Sequence, residues 1–535
     1  MDLLYRYEVF SREVLTLARE HPILRYAACA VAAKQLGQMK IPVSTVLRGK
    51  THEKIANRLS QGRYGLVWYG IKYYEKAIQT LVKSIAPRSQ QPEQISATSV
   101  SVDDWNLAMP AAHDSPVSLT KGDLMVRAEG EDPIVRLLGT CILIQYEHLS
   151  ANRNAWSGHL TGFAKLLELI DDGQLVQRHP LFEQVYPWTK DIMAVKAGFW
   201  NFVVNDMEES FVSHQRTRID TENLALWRNV GLMIQDDGSL ATTADAPHSL
   251  TSIPEHARDK VLSYTLIRLM CKLINYLAPN ENRSISNPPG SMPALTVSST
   301  SFPLAAEYAT PEQPSGSPSS LAALANTATF VDLENQFDSW HKMLSPSFHP
   351  DGTFYTSAAQ HNSNEQATHT TAGEQQRCLF SRELWFSNDL CATTMMYYNM
   401  ARMLLLIHRP PDLLFRLSSG VPGINTTMPS QSSSFDLLHA FRDIEMQLQR
   451  HASEVIAIFS GTPCDAIKLR AIQPLYVAGR CCTTLADRQQ LIHMLTDIQD
   501  KLGIATGYRV RALINEWGAN SADFNLNLRL ANEEL

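Results

Sequence analysis

The chain has 535 residues, 44% of them hydrophobic and 19% charged, with a formal net charge of −7. That length and apolar fraction can bury a substantial core, and the acidic balance lacks the basic surplus by which proteins devoted to nucleic-acid phosphates neutralise them. A membrane-spanning helix is excluded too, because no apolar run reaches about 18 residues.

In chain order, residues 1 to 88 carry 15 Lys and Arg against 6 Asp and Glu, a net of +9 that leaves −16 for the remainder. These cations are scattered singly along apolar helical patterns, which reads as a solvated helix face; direct contact with DNA is the alternative. Residues 87 to 120 read as a polar loop. In "GHLTGFAKLLELI", Leu160, Phe163, Ala164, Leu167 and Ile170 fall on one helical face. His159 is expected to fix the entrance of that helix or to pack against Trp156, and Gly162 to admit a neighbouring helix; a ligand-sensing His159 is the alternative.

The segment "FWNFVVNDMEESFVSHQRTRIDTENLALW", Phe199 to Trp227, holds the densest chemistry. Asp206 and Glu209 are three apart and share a helical face, where they could bind Mg²⁺ or trade protons. Yet Trp200, Val203, Val204, Met207 and Phe211 form an apolar stripe, with Asn205, Glu208 and Glu209 on the other side. Asp206 lies at the boundary, placed to hold the "QRTRID" loop. Asp220 or Thr221 is the expected N-cap of the next helix, with Asn223 and Leu224 opening it. The Mg²⁺-binding N-D-x-x-S-x-x-x-E helix of terpene cyclases is not reproduced: Ser210 comes one residue late and His214 replaces the acid. The doublets Asp171–Asp172 and Asp236–Asp237 precede glycines and read as turns.

Residues 279 to 320, 346 to 376 and 418 to 434 are rich in Pro, Ser or other polar residues and are expected to be loops or disordered insertions. His341, His349, His361 and His369 fall in or beside them and read as solvated. Further on, Met396, Met400, Met403, Leu404 and Ile407 mark another helix, ended by Pro410–Pro411. Cys391 beside it reads as a small buried residue. In "AIQPLYVAGRCC", Pro474 starts or interrupts a helix and Ala478–Gly479 form a small contact surface; Leu491, Leu495, Ile498 and Leu502 stripe a helix that Gly503 caps. Strand signals are few, so the expected fold is all-α, one multi-helix body with inserted loops.

Catalytic signatures are missing. No G-x-S-x-G elbow, G-x-G-x-x-G turn, phosphate loop or H-E-x-x-H pair occurs. The eight cysteines show no metal-binding spacing and read as free thiols of a reducing compartment. No catalytic, cofactor-binding or metal-ligating residue is therefore assigned, and no cofactor. The rival reading is a helical small-molecule enzyme or binding protein with an apolar pocket; it requires at least two of Asp206, Glu209 and His159 to meet at one cavity wall.

Six segments taken in order carry a resemblance: "LLYRYEVFSREVLTLAREHPILRYAACAVAAKQLG", "CILIQYEHLSANRNAWSGHLTGFAKLLEL", the Phe199–Trp227 segment, "TTMMYYNMARMLLLIHRPP", "AIQPLYVAGRCC" and "RQQLIHMLTDIQDKLGIATGYRVRALINEW". Over Leu3 to Trp517 the chain resembles the fungal-specific transcription factor domain, the helical regulatory region behind the binuclear zinc-cluster DNA-binding domain. The resemblance implies a single regulatory domain over 1–535 and a nuclear, non-enzymatic protein. It also implies transcription-machinery or DNA-binding partners, a small-molecule effector, a homodimer, and control of a metabolic pathway such as secondary metabolism. The family's zinc cluster needs six cysteines in two C-x2-C-x6-C halves. The sequence has no such cluster, so no zinc ligand or base-reading residue is carried over.

Overall fold

The computed structural model describes residues 2–3, 8–40, 65–85, 133–171, 190–241, 253–279, 318–355, 379–410, 413, 433–462, 464–519 and 524. It is all-α apart from one small antiparallel sheet. The helices are α1 (Val14–Leu17), α2 (Pro22–Gln38), α3 (Leu66–Ile85), α4 (Pro133–His148), α5 (Arg153–Asp171), α6 (Lys190–Ser213), α7 (Leu224–Asn229) and α8 (Glu255–Leu277). They continue with α9 (Pro318–Lys342), α10 (Asp389–Ile407), α11 (Ser433–Gly461), α12 (Asp465–Arg470), α13 (Ile472–Gly479), α14 (Leu485–Leu502) and α15 (Gly507–Glu516). Strands β1 (Gly352–Tyr355) and β2 (Arg382–Trp385) pair Gly352 with Trp385 and Tyr355 with Arg382.

Helix ends follow local chemistry. Pro22 opens α2 at a position where no amide hydrogen is needed. The Asn388 side chain accepts from the Leu390 and Cys391 amides at α10, and Thr484 from the Asp487 amide at α14. Gly503 ends α14 at φ 63°, where an added Cβ would stand 2.3 Å from the Gln35 carbonyl oxygen. Both the left-handed backbone and the close approach of α2 require glycine there.

Small residues set the first layer. Ala27, Ala30 and Ala33 of α2 are buried, as are Gly70 and Ala77 of α3; a Cβ on Gly70 would meet the Lys34 amide nitrogen at 3.0 Å. Helix α4 is buried along almost its whole length and packs between this layer and α5 and α6. The predicted stripes face inward as expected: Leu160 and Phe163 on α5, Met396, Met400, Met403 and Leu404 on α10, and Leu491, Leu495, Ile498 and Leu502 on α14 are all buried. Gly479 on α13 lies against Leu491 and Leu513. One connected apolar cluster runs from Val9 to Phe524.

Several boundaries differ from expectation. The loop expected over 279 to 320 ends early, since Pro318 opens α9. Residues 346 to 355, expected as loop, form a single 3-10 turn and β1, which pairs with β2. Ser433 and Ser434, expected as loop, open α11. At each boundary buried apolar residues anchor the element that takes over part of the polar run: Phe330 and Phe337 on α9, Phe348 within the 3-10 turn, and Ala452 and Val455 on α11. Residues 87 to 120 and the remainder of the three expected insertions lie outside the described residues.

Candidate functional site

Helix α6 places its polar residues where the sequence does not suggest. From Asn201 to Ser210 every residue is buried, so Asn205, Glu208 and Glu209, on the side opposite the apolar stripe, also lie inside the protein. The reason is a second layer: α5, α8 and the loop after α6 cover the face that the apolar stripe leaves open. A buried carboxylate is costly unless charge and hydrogen bonds meet it, and here each finds partners.

Asp206 and Glu209 converge on one guanidinium. Arg218 Nη1 donates to Asp206 Oδ1 and to Glu209 Oε2, both at 2.7 Å. Asp206 Oδ2 accepts the backbone amides of Arg218 at 2.7 Å and Ile219 at 3.1 Å. Arg218 also donates to Thr161 Oγ1 and Ser157 Oγ on α5, and Ser213 Oγ donates to Glu209 Oε1. Burial pushes the Asp206 carboxyl up, and Arg218 pulls it back. Burial likewise opposes the Arg218 charge, but Asp206 and Glu209 hold its pKa above the ordinary value. Asp206 does hold the "QRTRID" loop, as its boundary position suggested.

The next helix start departs from expectation. Asn223, rather than Asp220 or Thr221, is the N-cap of α7, its Oδ1 accepting the Leu226 amide at 3.1 Å. Asp220 instead accepts the Glu222 amide in a local turn, and its carbonyl oxygen accepts Trp227 Nε1.

A second node joins four helices. Glu208 on α6 accepts Tyr397 Oη of α10 at 2.6 Å on Oε1, and Arg470 Nη1 of α12 at 2.8 Å on Oε2. His148 Nε2, closing α4, stands 3.6 Å from Oε2, and its ring stacks on Trp156 with centroids 4.8 Å apart. Burial and the adjacent Arg470 keep His148 neutral, pushed down to about 3. Burial opposes the Arg470 charge, but Glu208 raises it above its ordinary value. The residues of this node are up to 262 positions apart in the chain, so no local spacing signals it.

His159 packs differently from its expectation. Its Nε2 lies 2.8 Å from Tyr74 Oη, and the two rings meet edge to face; Trp156 stacks on His148 instead. Burial lowers His159 to about 4. Gly162 is exposed, and a Cβ there would meet nothing within 4 Å, so it is not the helix contact expected of it. Asp206 and Glu209 thus meet at Arg218, while His159 turns to Tyr74 of α3. Asp236–Asp237 do not join them: Asp236 pairs with Arg228, and Asp237 accepts the Ser239 amide in a turn; the Asp171 side chain lies outside what the structure describes.

Remaining candidates are ordinary. Cys391 is fully buried, and His349 and His341 are exposed, the latter stacked on Tyr398; His361 and His369 lie outside the described residues. The seven cysteines among the described residues are free thiols. Among the described residues no group of three His, Cys, Asp or Glu is placed to hold a metal ion, and no helix is long and apolar enough to cross a membrane. In the basic first segment, Lys34 is buried with its Nζ on the Tyr146 carbonyl and Ser150 Oγ, Lys40 pairs with Asp500, and Lys72 with Glu75.

Among curated proteins, the chain is similar to the transcription activator AMTR1 of Alternaria alternata, with 25% identity over 536 residues that cover 98% of this chain and 62% of that protein. The chain therefore spans less than two thirds of the length of the curated relative it matches. No family model and no solved structure matches it.

Proposed function

We propose that the chain is the helical regulatory region of a nuclear fungal transcriptional regulator, acting through protein contacts and an effector rather than through catalysis. The observation that carries the reading is the similarity along 98% of the chain to a protein named as a transcription activator. The ordered helical segments support it, and the all-α architecture agrees with what the resemblance implies.

The enzyme reading is weakened by the same contacts that would have favoured it. Asp206 and Glu209 are held by Arg218 and backbone amides, which leaves neither poised to move a proton or hold Mg²⁺. Transcription-machinery proteins or a DNA-binding partner are the expected contacts, and metabolic genes, those of secondary metabolism included, the expected targets. Control works by population shift, an effector or partner favouring one arrangement of the helices over another. The test tethers the chain to a heterologous DNA-binding domain beside a reporter gene in a fungal host. A change in reporter output relative to the tether alone is expected. No activation, repression or recruitment across nutrient conditions would overturn the proposal.

A further inference from the structure

Arg509 on α15 is buried, 5% exposed, and among the described residues no acid contacts it; the neighbouring Tyr508 hydroxyl accepts from its guanidinium. Its Nε donates to Gln473 Oε1 at 2.8 Å, and its guanidinium carbon lies 4.0 Å from the Tyr476 ring centroid and 5.1 Å from that of Phe211. Its Nη2 is buried with no hydrogen-bond partner. Stacking on Tyr476 offsets part of the desolvation of this charge, but a buried donor left unbonded keeps its own cost.

The surroundings distinguish Arg509 from Arg268, whose Nη2 is also unbonded. Arg268 has an acid 3.9 Å away, at Glu222. Among the described residues the formal charge that acts on Arg509 itself is a cation, Arg153. His214, exposed at the end of α6 with φ 55°, has its pKa lowered first by burial and then by Arg509, Arg153 and Arg480. Arg153 acts on Arg509 as well, and Arg480 and His214 both act on His408, at the end of α10. Two acids border this corner: Glu516 accepts Tyr476 Oη at 2.6 Å and Arg480 Nε at 2.9 Å, so it faces Arg480 rather than Arg509, and Glu208, which acts on Tyr508, is taken up by Tyr397 and Arg470.

We infer that Arg509 is the floor of a binding site for a small oxyanion-bearing metabolite, a carboxylate or a phosphate, with Arg153, His214 and Arg480 at its rim and Tyr476 and Phe211 beside it. A guanidinium presents paired donors that match either oxyanion. The burial of Arg509 limits what reaches it to a group of a few atoms, which a small metabolite brings without a second protein surface having to follow. Serving as the effector position of a regulatory region is a role that rests on the function proposed above; binding the anion does not.

The test titrates citrate and, separately, inorganic phosphate into the full chain by calorimetry at fixed ionic strength. Saturable binding of at least one probe is expected, and the stronger of the two identifies the oxyanion. Binding should weaken about tenfold or more in Arg509→Met, the order expected on losing a charged hydrogen bond. It should also weaken in Arg153→Ala, an exposed position that decides the matter if Arg509→Met fails to fold. No saturable binding of either probe, or affinities that neither variant changes, would overturn the inference; weakening by Arg153→Ala with none in a folded Arg509→Met would remove Arg509 as the floor. A silent tethered reporter beside intact anion binding would remove the regulatory role and leave the site, and the converse would remove the site alone.

Discussion

Arg470 and Arg509 are nearly equally buried, 8% and 5% exposed, yet their surroundings are opposite. Arg470 faces Glu208, whose second oxygen accepts Tyr397 and whose neighbour His148 is held neutral. Arg509 faces an amide, aromatic rings, the Tyr508 hydroxyl and another cation, Arg153. The two are close enough that Glu208 acts on Tyr508, the residue beside Arg509, whose hydroxyl Gln473 also reaches. Guanidiniums of similar depth therefore differ in their counter-charge: the first has one in contact, and the second has none among the described residues. A balanced buried pair fixes architecture, and an unbalanced one leaves room for a counter-charge from outside.

Substitutions break this comparison at points of decreasing cost. Arg470→Met strands the Glu208 carboxylate and is expected to destabilise by about 3–5 kcal/mol, measured by urea unfolding, with much of the loss recovered when Glu208→Leu is added. Arg218→Met leaves Asp206 its two backbone amides and Glu209 its Ser213 partner, and Arg218 itself is partly solvated. A smaller loss of about 2 kcal/mol is expected by the same measurement.

His451 sharpens the comparison by a group that avoids charge altogether. Its Nδ1 lies 2.7 Å from Asn399 Oδ1 and its Nε2 3.4 Å from Arg450 Nη2, which fits the neutral ring donating to the first and accepting from the second. Burial, then Arg450, lowers it to about 3, whereas an unfolded histidine titrates near pH 6.5. As pH falls below that value the unfolded chain takes up a proton that the folded one refuses, and stability is lost. The stability gap between wild type and His451→Gln should shrink by about 1.4 kcal/mol per pH unit from roughly pH 6.5 downward and stay constant above it. The smallest expected effect is that of Arg509→Met, within about 1 kcal/mol of wild type in either direction, because removing an uncompensated charge offsets the lost stacking.

The sequence makes the helices legible because their apolar spacing and ends are local. Leu491 to Leu502 read as a stripe, and Gly503 as its cap, and both lie as expected. Asp206 was legible for the same reason, its loop being only 12 residues away. The nodes were not. Glu208 and Arg470 are 262 residues apart, and Gln473 and Arg509 are 36 apart. Which side of α6 carries Asn205, Glu208 and Glu209 is legible from the helical period, but that a second layer buries that side is set by tertiary packing. His159 and Gly162 were misread because their partners are fixed by tertiary packing: Tyr74 for the first and open solvent for the second.

If the balanced pair carries structure and the unbalanced arginine carries regulation, substitutions at the two separate abundance from output. The most direct test is the output of the tethered reporter for wild type, Arg470→Met and Arg509→Met, each normalised to the amount of chain measured in the same cells. The account predicts that Arg470→Met lowers abundance and changes output only in proportion, whereas Arg509→Met keeps wild-type abundance and alters output per molecule. Equal output per molecule in wild type and Arg509→Met, at equal abundance in every nutrient condition tried, would contradict it.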